Sequence, residues 1–332
     1  MLVLTATACS KQAEQSAPLQ PLNVSAEGPA YFPAASYRFT NNELTSAGFQ
    51  LGRRLFYDEL LSVENDISCA SCHQQRFAFS DPSHAIPHGA HGKLGTRNSP
   101  GIFNMRWTPA MMWDGGITNL ELMPVAPLTN PVEMDETLDN IVRKLNANAS
   151  YREAFRGAFG SETITAPMML KAFAQFMGAM VSADSRYDRF RQGKLSLSAD
   201  EMSGMQLFDD KCGSCHSGEL FTDFSFRNNG IDSAGKDDGR FLVTQQNTDR
   251  GTFRVPSLRN VAITRPYMHD GRFNSLEEVL QHYTSGIRHA ENLDPVLKTG
   301  LGLSAEQSRK IISFLGTLTD ETFTKDPRFS KP

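Results

Sequence analysis

The chain has 332 residues, 39% hydrophobic and 21% charged, which supplies apolar material for two cores of ordinary size and excludes a disordered chain. A formal net charge of −4, with no Lys/Arg run interleaved with aromatics, argues against nucleic acid as a partner. No stretch approaches the ~18 continuous apolar residues of a membrane-spanning helix.

The opening segment "MLVLTATAC" is a short run of small and apolar residues ending at Cys9, followed by the polar, Pro-containing "SKQAEQSAPLQPLNVSAEGPA". Residues 1–9 are expected to be the end of an export signal whose Cys9 carries lipid, as in bacterial lipoproteins, and residues 10–38 a flexible linker. That places the chain in the periplasm, with membrane contact only through the anchor. Thr40 with Glu43 then forms a capping-box pattern that predicts a helix through "LTSAGFQLGRRLFYD".

Apart from Cys9, every cysteine lies in "CASCH" (69–73) or "CGSCH" (212–216). Two thiols three positions apart can add across the two vinyl groups of one haem, and the next residue, His73 or His216, can bind its iron. A zinc ribbon would place its Cys pairs about 15–20 residues apart, a thioredoxin-like pair would need a βαβ context, and a disulfide would not need the histidine. Cys69, Cys72, His73 and Cys212, Cys215, His216 are therefore expected to hold two covalent c-type haems.

Ser198 with Glu201 predicts a helix before the second unit, and Ser304 with Gln307 opens "RKIISFLGTL", where Ile311, Ile312, Leu315 and Leu318 form an apolar stripe. With little period-2 alternation, the chain reads as mainly α, with a duplicated module. The duplication continues beyond the haem units, because "MWDGGITNLE" (112–121) and "MHDGRFNSLE" (268–277) match without a gap at Met, Asp, Gly and Glu. Trp113 then stands opposite His269, and Pro127 opposite Tyr283. In "SLEEVLQHY" the helical stripe is Leu276, Val279, Leu280 and Tyr283, so Tyr283 is expected to face the core and His282, about 100° away on the wheel, to be partly solvated. Tyr283 is the expected sixth ligand of the second iron, with Met268 as the alternative, while Pro127 leaves the first iron open. A phenolate would favour ferric and higher states.

These motifs resemble the bacterial dihaem cytochrome c peroxidases and their relative MauG, over roughly residues 40–320. The resemblance rests on "SCASCH", "RNSP" (97–100), "WDGG", "NPVEM" (130–134), "CGSCH", "VPSLRN" (255–260) and "PYMHDG". It implies two cytochrome c-like α domains, here 39–190 for the peroxidatic haem and 191–322 for the electron-transfer haem. It also implies an inter-haem Trp113, a distal-pocket acid Glu133 beside Pro127, and calcium on Asn98, Thr264 and Pro266. In the family the position of Tyr283 carries methionine in the peroxidases and tyrosine in MauG. Three residues depart from the pattern: Met123 replaces a pocket glutamine, Gly116 replaces the arginine of "WDGR", and Asp210 stands where MauG has a surface tryptophan. Among the loop histidines His84, His88 and His91, His91 is the nearest match to the histidine that closes the resting peroxidatic iron in the family.

The expected activity is reduction of hydrogen peroxide to water at the His73 haem, via high-valent iron shared over the two haems through Trp113. Electrons would come from a small cytochrome or copper protein, and a homodimer is compatible with the family. Two other activities compete: MauG-like oxidation of side chains on a partner protein, and a dihaem electron carrier, which would need both irons six-coordinate.

Overall fold

In the computed structural model, which describes residues 27–232 and 236–332, the first long helix starts at a threonine other than the expected one. Thr40 lies in a 3-10 turn, and Thr45 caps α1 (Ser46–Tyr57), its hydroxyl accepting from Gly48 N at 3.0 Å. The cause is tertiary, because Thr45 N donates to Gln175 Oε1 at 3.0 Å, from a residue distant in sequence. Cys9 and the signal segment lie outside the described residues. Within the expected linker, Phe32 is buried edge-on against Trp107, ring centroids 5.0 Å apart, so this part of the segment is anchored on the body.

The first Cys-x-x-Cys unit forms a single helical turn, α2 (Cys69–Cys72), and the chain continues through α3 (Val125–Thr129), α4 (Leu138–Ala147), α5 (Ala149–Phe159) and α6 (Ala166–Ala179). The second half contains α7 (Arg186–Arg191), α8 (Ala199–Lys211), α9 (Phe241–Thr244), α10 (Leu276–Gln281), α11 (Ala305–Gly316) and α12 (Glu321–Lys325). Both capping boxes expected here form, Ser198 with Glu201 on α8 and Ser304 with Gln307 on α11. Strand is confined, among the described residues, to the antiparallel pair β1 (Phe226–Arg227) and β2 (Phe253–Arg254), so the fold is mainly α.

Two apolar cores divide the chain. The first gathers α1, α5 and α6 around Phe49, Phe56 and Phe173; the second gathers α8, α10 and α11 around Phe208, Phe221 and Phe314. The expected boundary at 190/191 falls inside α7, whose Tyr187 already packs on Phe221 and Phe314 of the second core, centroids 5.0 and 5.8 Å away. The chain end then crosses back. Phe323 and Phe329 join the first core, Gln75 Nε2 donates to the Asp326 carbonyl at 2.7 Å, and Tyr57 Oη donates to the Phe329 carbonyl at 2.7 Å. Beside the second core, Arg259, whose guanidinium lies 5.9 Å from the ring of Phe221, and Asp188 of α7 form a fully buried bidentate pair at 2.8 and 2.9 Å.

The duplication shows in how each core is closed. On α1, a Cβ added to Gly52 would lie 2.0 Å from the Ala172 carbonyl of α6; on α8, one added to Gly204 would lie 1.9 Å from the Lys310 carbonyl of α11. Each pair of helices thus crosses at a glycine, backbone against backbone. Helix propensity favours alanine over glycine by about 1 kcal/mol, but forcing a methyl into this crossing costs about 1–3 kcal/mol. Gly204→Ala should therefore lower the thermal midpoint, whereas Gly157→Ala, where a Cβ on α5 meets nothing within 4 Å, should leave it unchanged or raise it.

Candidate active site

Each Cys-x-x-Cys-His unit presents its side chains to a cavity in its own core. Cys69 and Cys72 lie one helical turn apart and so share a face of α2; Cys212 ends α8 and Cys215 follows in the next turn. None of the four is in a disulfide, and the two units pack on different cores, which removes the shared zinc site. Burial pushes the Cys69, Cys72 and Cys212 thiols up to about 12 and raises Cys215 as well, the opposite of the depressed thiol of a redox pair.

The histidines are set identically. His73 Nδ1 donates to the Phe79 carbonyl at 2.8 Å, and His216 Nδ1 donates to the Phe221 carbonyl at 3.1 Å. One ring nitrogen is thereby tied down and the tautomer fixed, leaving Nε2 as the lone-pair donor. Burial lowers both imidazole pKa values and so favours the neutral, ligating form.

Pro127, Glu133 and Met123 line the first cavity together with Cys69, Cys72 and His73. Glu133 is half-buried, and burial holds its carboxyl above the usual range even though Asn130 Nδ2 donates to its Oε1 at 2.7 Å. Met123 offers no strong hydrogen-bonding group, and Glu133 is the only carboxylate lining this cavity among the described residues. The loop histidines are arranged differently from expectation. His91 is held away on the surface by Glu64 and Asp135, at 3.2 and 3.3 Å, whereas His88 stands at the cavity rim with its ring 4.9 Å from His84.

Tyr283 and Met268 both line the second cavity with Cys212, Cys215 and His216. Asn229 Nδ2 lies between them, donating to Tyr283 Oη at 3.3 Å and to Met268 Sδ at 3.5 Å. Tyr283 belongs to a π-helical turn, His282–Gly286, that follows α10. His282 itself keeps the α register of α10, its N–H reaching the Glu278 carbonyl. Instead of being solvated, His282 is only 5% exposed, and its Nε2 donates to the Asn229 carbonyl at 3.1 Å. Burial raises the Tyr283 phenol to about 12, so without a cation beside it the hydroxyl stays protonated.

Trp113 stands at the junction of the modules. It borders the second cavity, its Nε1 donates to the Asn98 carbonyl at 2.9 Å, and its own carbonyl accepts from Arg254 N at 2.8 Å. Asn98, Thr264 and Pro266 border the same cavity. The Asn98 amide spends its Nδ2 on the Ala85 carbonyl at 3.0 Å, which leaves its oxygen as a ligand atom. Gly116, opposite Arg272 in the repeat, leaves Asp114 to pair with Arg97 instead, at 2.6 Å; Arg97 also grips Asp237 of the second half at 2.7 Å.

Two lining residues escaped the sequence reading. Arg254 has no carboxylate partner among the described residues, and burial lowers its pKa to about 10. A cation facing an apolar cavity flanked by two thiols and an imidazole fits the carboxylate-bearing edge of a haem. Its only signal was its place just before "VPSLRN". Asn229 sits in an ordinary "RNNG" turn and had none.

Residues 46–196 match the family model of the di-haem cytochrome c peroxidases. The methylamine utilization protein MauG of Methylorubrum extorquens is 38% identical over 287 residues, covering 84% of this chain and 80% of that one. The cytochrome c551 peroxidase of Nitrosomonas europaea is 32% identical over 289 residues, 85% and 82% of the respective chains. Among solved structures, a MauG-like protein associated with microbial copper homeostasis superposes with a TM-score of 0.85 at 33% identity, covering 92% of this chain and 98% of that one. Two c-type haems accordingly belong to the two sites just described, and the chain is a member of the di-haem cytochrome c peroxidase family that includes MauG.

Proposed function

We propose that the protein is a periplasmic dihaem peroxidase that takes hydrogen peroxide, two protons and two electrons to two waters in the cavity of His73. The observation that carries this reading is an asymmetry: the first cavity has Pro127 and an acid with a raised pKa, Glu133, where the second has Tyr283 and Met268. The haems, attached through Cys69, Cys72, Cys212 and Cys215, supply the electron transfer. Glu133 takes the proton from the inner peroxide oxygen and returns it to the outer one, which makes the departing oxygen a water. Met123, Pro127 and Leu128 keep the rest of that wall apolar, so few groups compete with Glu133 for the proton. Trp113, bonded into both halves, is the stepping point for electrons between the sites. Asn98, Thr264 and Pro266 offer a hard cation such as calcium oxygen ligands at the module junction. A small cytochrome or cupredoxin is the natural donor, and Cys9 the lipid anchor.

Tyr283, rather than Met268, would hold the iron of the second haem together with His216. Low-temperature electron paramagnetic resonance of the oxidised protein should show one high-spin and one low-spin ferric haem, and Tyr283→Phe should alter the low-spin signal alone. Two low-spin signals untouched by the substitution would assign the ligand to Met268 and place His88 on the first iron. A second reading, oxidation of side chains on a partner protein, draws on the tyrosine at this position. Against direct copying of the MauG route, Asp210, 67% exposed, occupies the surface position beside the second unit, and Trp107 is buried. Mass shifts in a co-purifying protein after peroxide addition would favour this second reading.

A further inference from the structure

Asn229 engages three side chains able to bind iron: its Nδ2 donates to Tyr283 Oη at 3.3 Å and to Met268 Sδ at 3.5 Å, and its carbonyl accepts from His282 Nε2 at 3.1 Å. The amide is held in that orientation. Ile231 N donates to Asn229 Oδ1 at 3.3 Å, which turns the oxygen end back on its own loop and leaves the N–H bonds to the phenol and the thioether. The loop is also locked to the Tyr283 segment on the far side of that residue. Arg288 N donates to the Gly230 carbonyl at 2.8 Å, and a Cβ added to Gly230 would lie 2.5 Å from Ile287 Cγ2. Asn229 is thus a donor fixed by backbone contacts on either side of Tyr283.

We propose that Asn229 is the positioning residue that selects Tyr283 over Met268 at the second haem, an inference that rests on the reading of Tyr283 as the residue that would hold this iron. The reason lies in what each atom can still accept once it serves a metal. A phenol oxygen that gives one lone pair to a metal keeps another and carries negative charge, and an N–H bond to a charged oxygen is roughly twice as strong as one between neutral groups. A thioether sulfur is a weak acceptor, and a lone pair shared with an N–H is not free for iron. The same amide therefore favours Tyr283 as a ligand and holds Met268 off. Its carbonyl restrains the third candidate, keeping the His282 ring against the loop. The left-handed backbone of Met268, φ 74°, is no mark of a ligand, because its repeat twin Met112 has φ 65° and the conformation belongs to the duplicated turn.

The test compares ferric absorption and paramagnetic resonance spectra of the haem-loaded wild type, Asn229→Leu and Asn229→Asp. Leucine removes the donor at similar size. Aspartate keeps the shape and puts an acceptor where the donor was, so a residue that only packs would tolerate it. Both variants should shift the Tyr283-to-Met268 ratio toward Met268 by about tenfold or more, the worth of one hydrogen bond to a charged oxygen. The long-wavelength absorption band of a thioether-bound ferric haem, absent from the wild type, should therefore appear in both, and adding Met268→Leu should abolish it. Unchanged spectra in both Asn229 variants, beside an altered low-spin signal in Tyr283→Phe, would overturn this inference and leave the Tyr283 reading intact. The thioether band in the wild type would overturn both. If one Asn229 variant fails to take up haem, the other gives the same decision.

Discussion

Glu133→Gln should lower the turnover of hydrogen peroxide by about two to four orders of magnitude, with haem absorption and peroxide-independent reduction by a small donor unchanged. The substitution keeps the size of the side chain and its oxygen for Asn130 Nδ2, so the wall of the cavity is preserved. It removes the only carboxylate that lines this cavity among the described residues, and with it the route for the inner proton. The pH dependence supplies an independent check. A base must be deprotonated to accept, so kcat/KM should rise with pH through the Glu133 titration, and burial places that limb above the ordinary carboxylate range. The variant should lose the limb. A wild-type level of turnover in Glu133→Gln would move proton transfer elsewhere and leave the Pro127 cavity with a binding role only.

Asp188→Asn should destabilise the fold by about 3–5 kcal/mol, the cost of leaving a buried charge unpaired. Both side chains are 0% exposed, and Arg259 spends Nη1 and Nη2 on Asp188 and Nε on the Glu219 carbonyl at 2.7 Å, so its charge has no route to water. Burial alone would raise the Asp188 pKa, but the bonds from Arg259, with help from Ser185, outweigh it and leave the carboxyl below the usual range. A depressed folded-state pKa contributes stability that is fully present above the unfolded value near ~3.9 and is lost as pH falls through the folded value. The wild type should therefore lose stability from about pH 4 downward, and the variant should show a lower urea midpoint with a shallower acid limb. An unchanged midpoint at neutral pH would mean that Arg259 finds another anion in the variant.

What the sequence could say depended on how local the chemistry is. Two thiols and a histidine in five residues declare their partner without any tertiary information, and the repeat around "MWDGG" and "MHDGR" carried Pro127 and Tyr283 to opposite sites. The stripe through Leu276, Val279 and Leu280 brought Tyr283 inward correctly, but the same wheel misplaced His282. His282 keeps the α register, but its ring is received by the Asn229 carbonyl of a loop distant in sequence, which a helical wheel does not contain. Thr40 and Thr45 offer similar local capping chemistry; the choice between them was made by Gln175. His91 was the nearest match by resemblance alone, whereas Glu64 and Asp135 hold it on the surface and leave His88 at the cavity. Arg254, at the end of a two-residue strand, and Asn229, in an ordinary turn, carry no local signal until the two halves fold against them.

The returning chain end has a consequence for assembly order. Phe323 and Phe329 close the first core although they follow the whole second module in sequence, so the N-terminal module lacks part of one wall until the second module has been made. Contacts of such long sequence separation form late and slowly. The first cysteine pair, on the helical turn that sits on this core, therefore stays reachable in the nascent chain while the second module is still being built. Passage of the chain through the second module, rather than completion of the first, closes that wall.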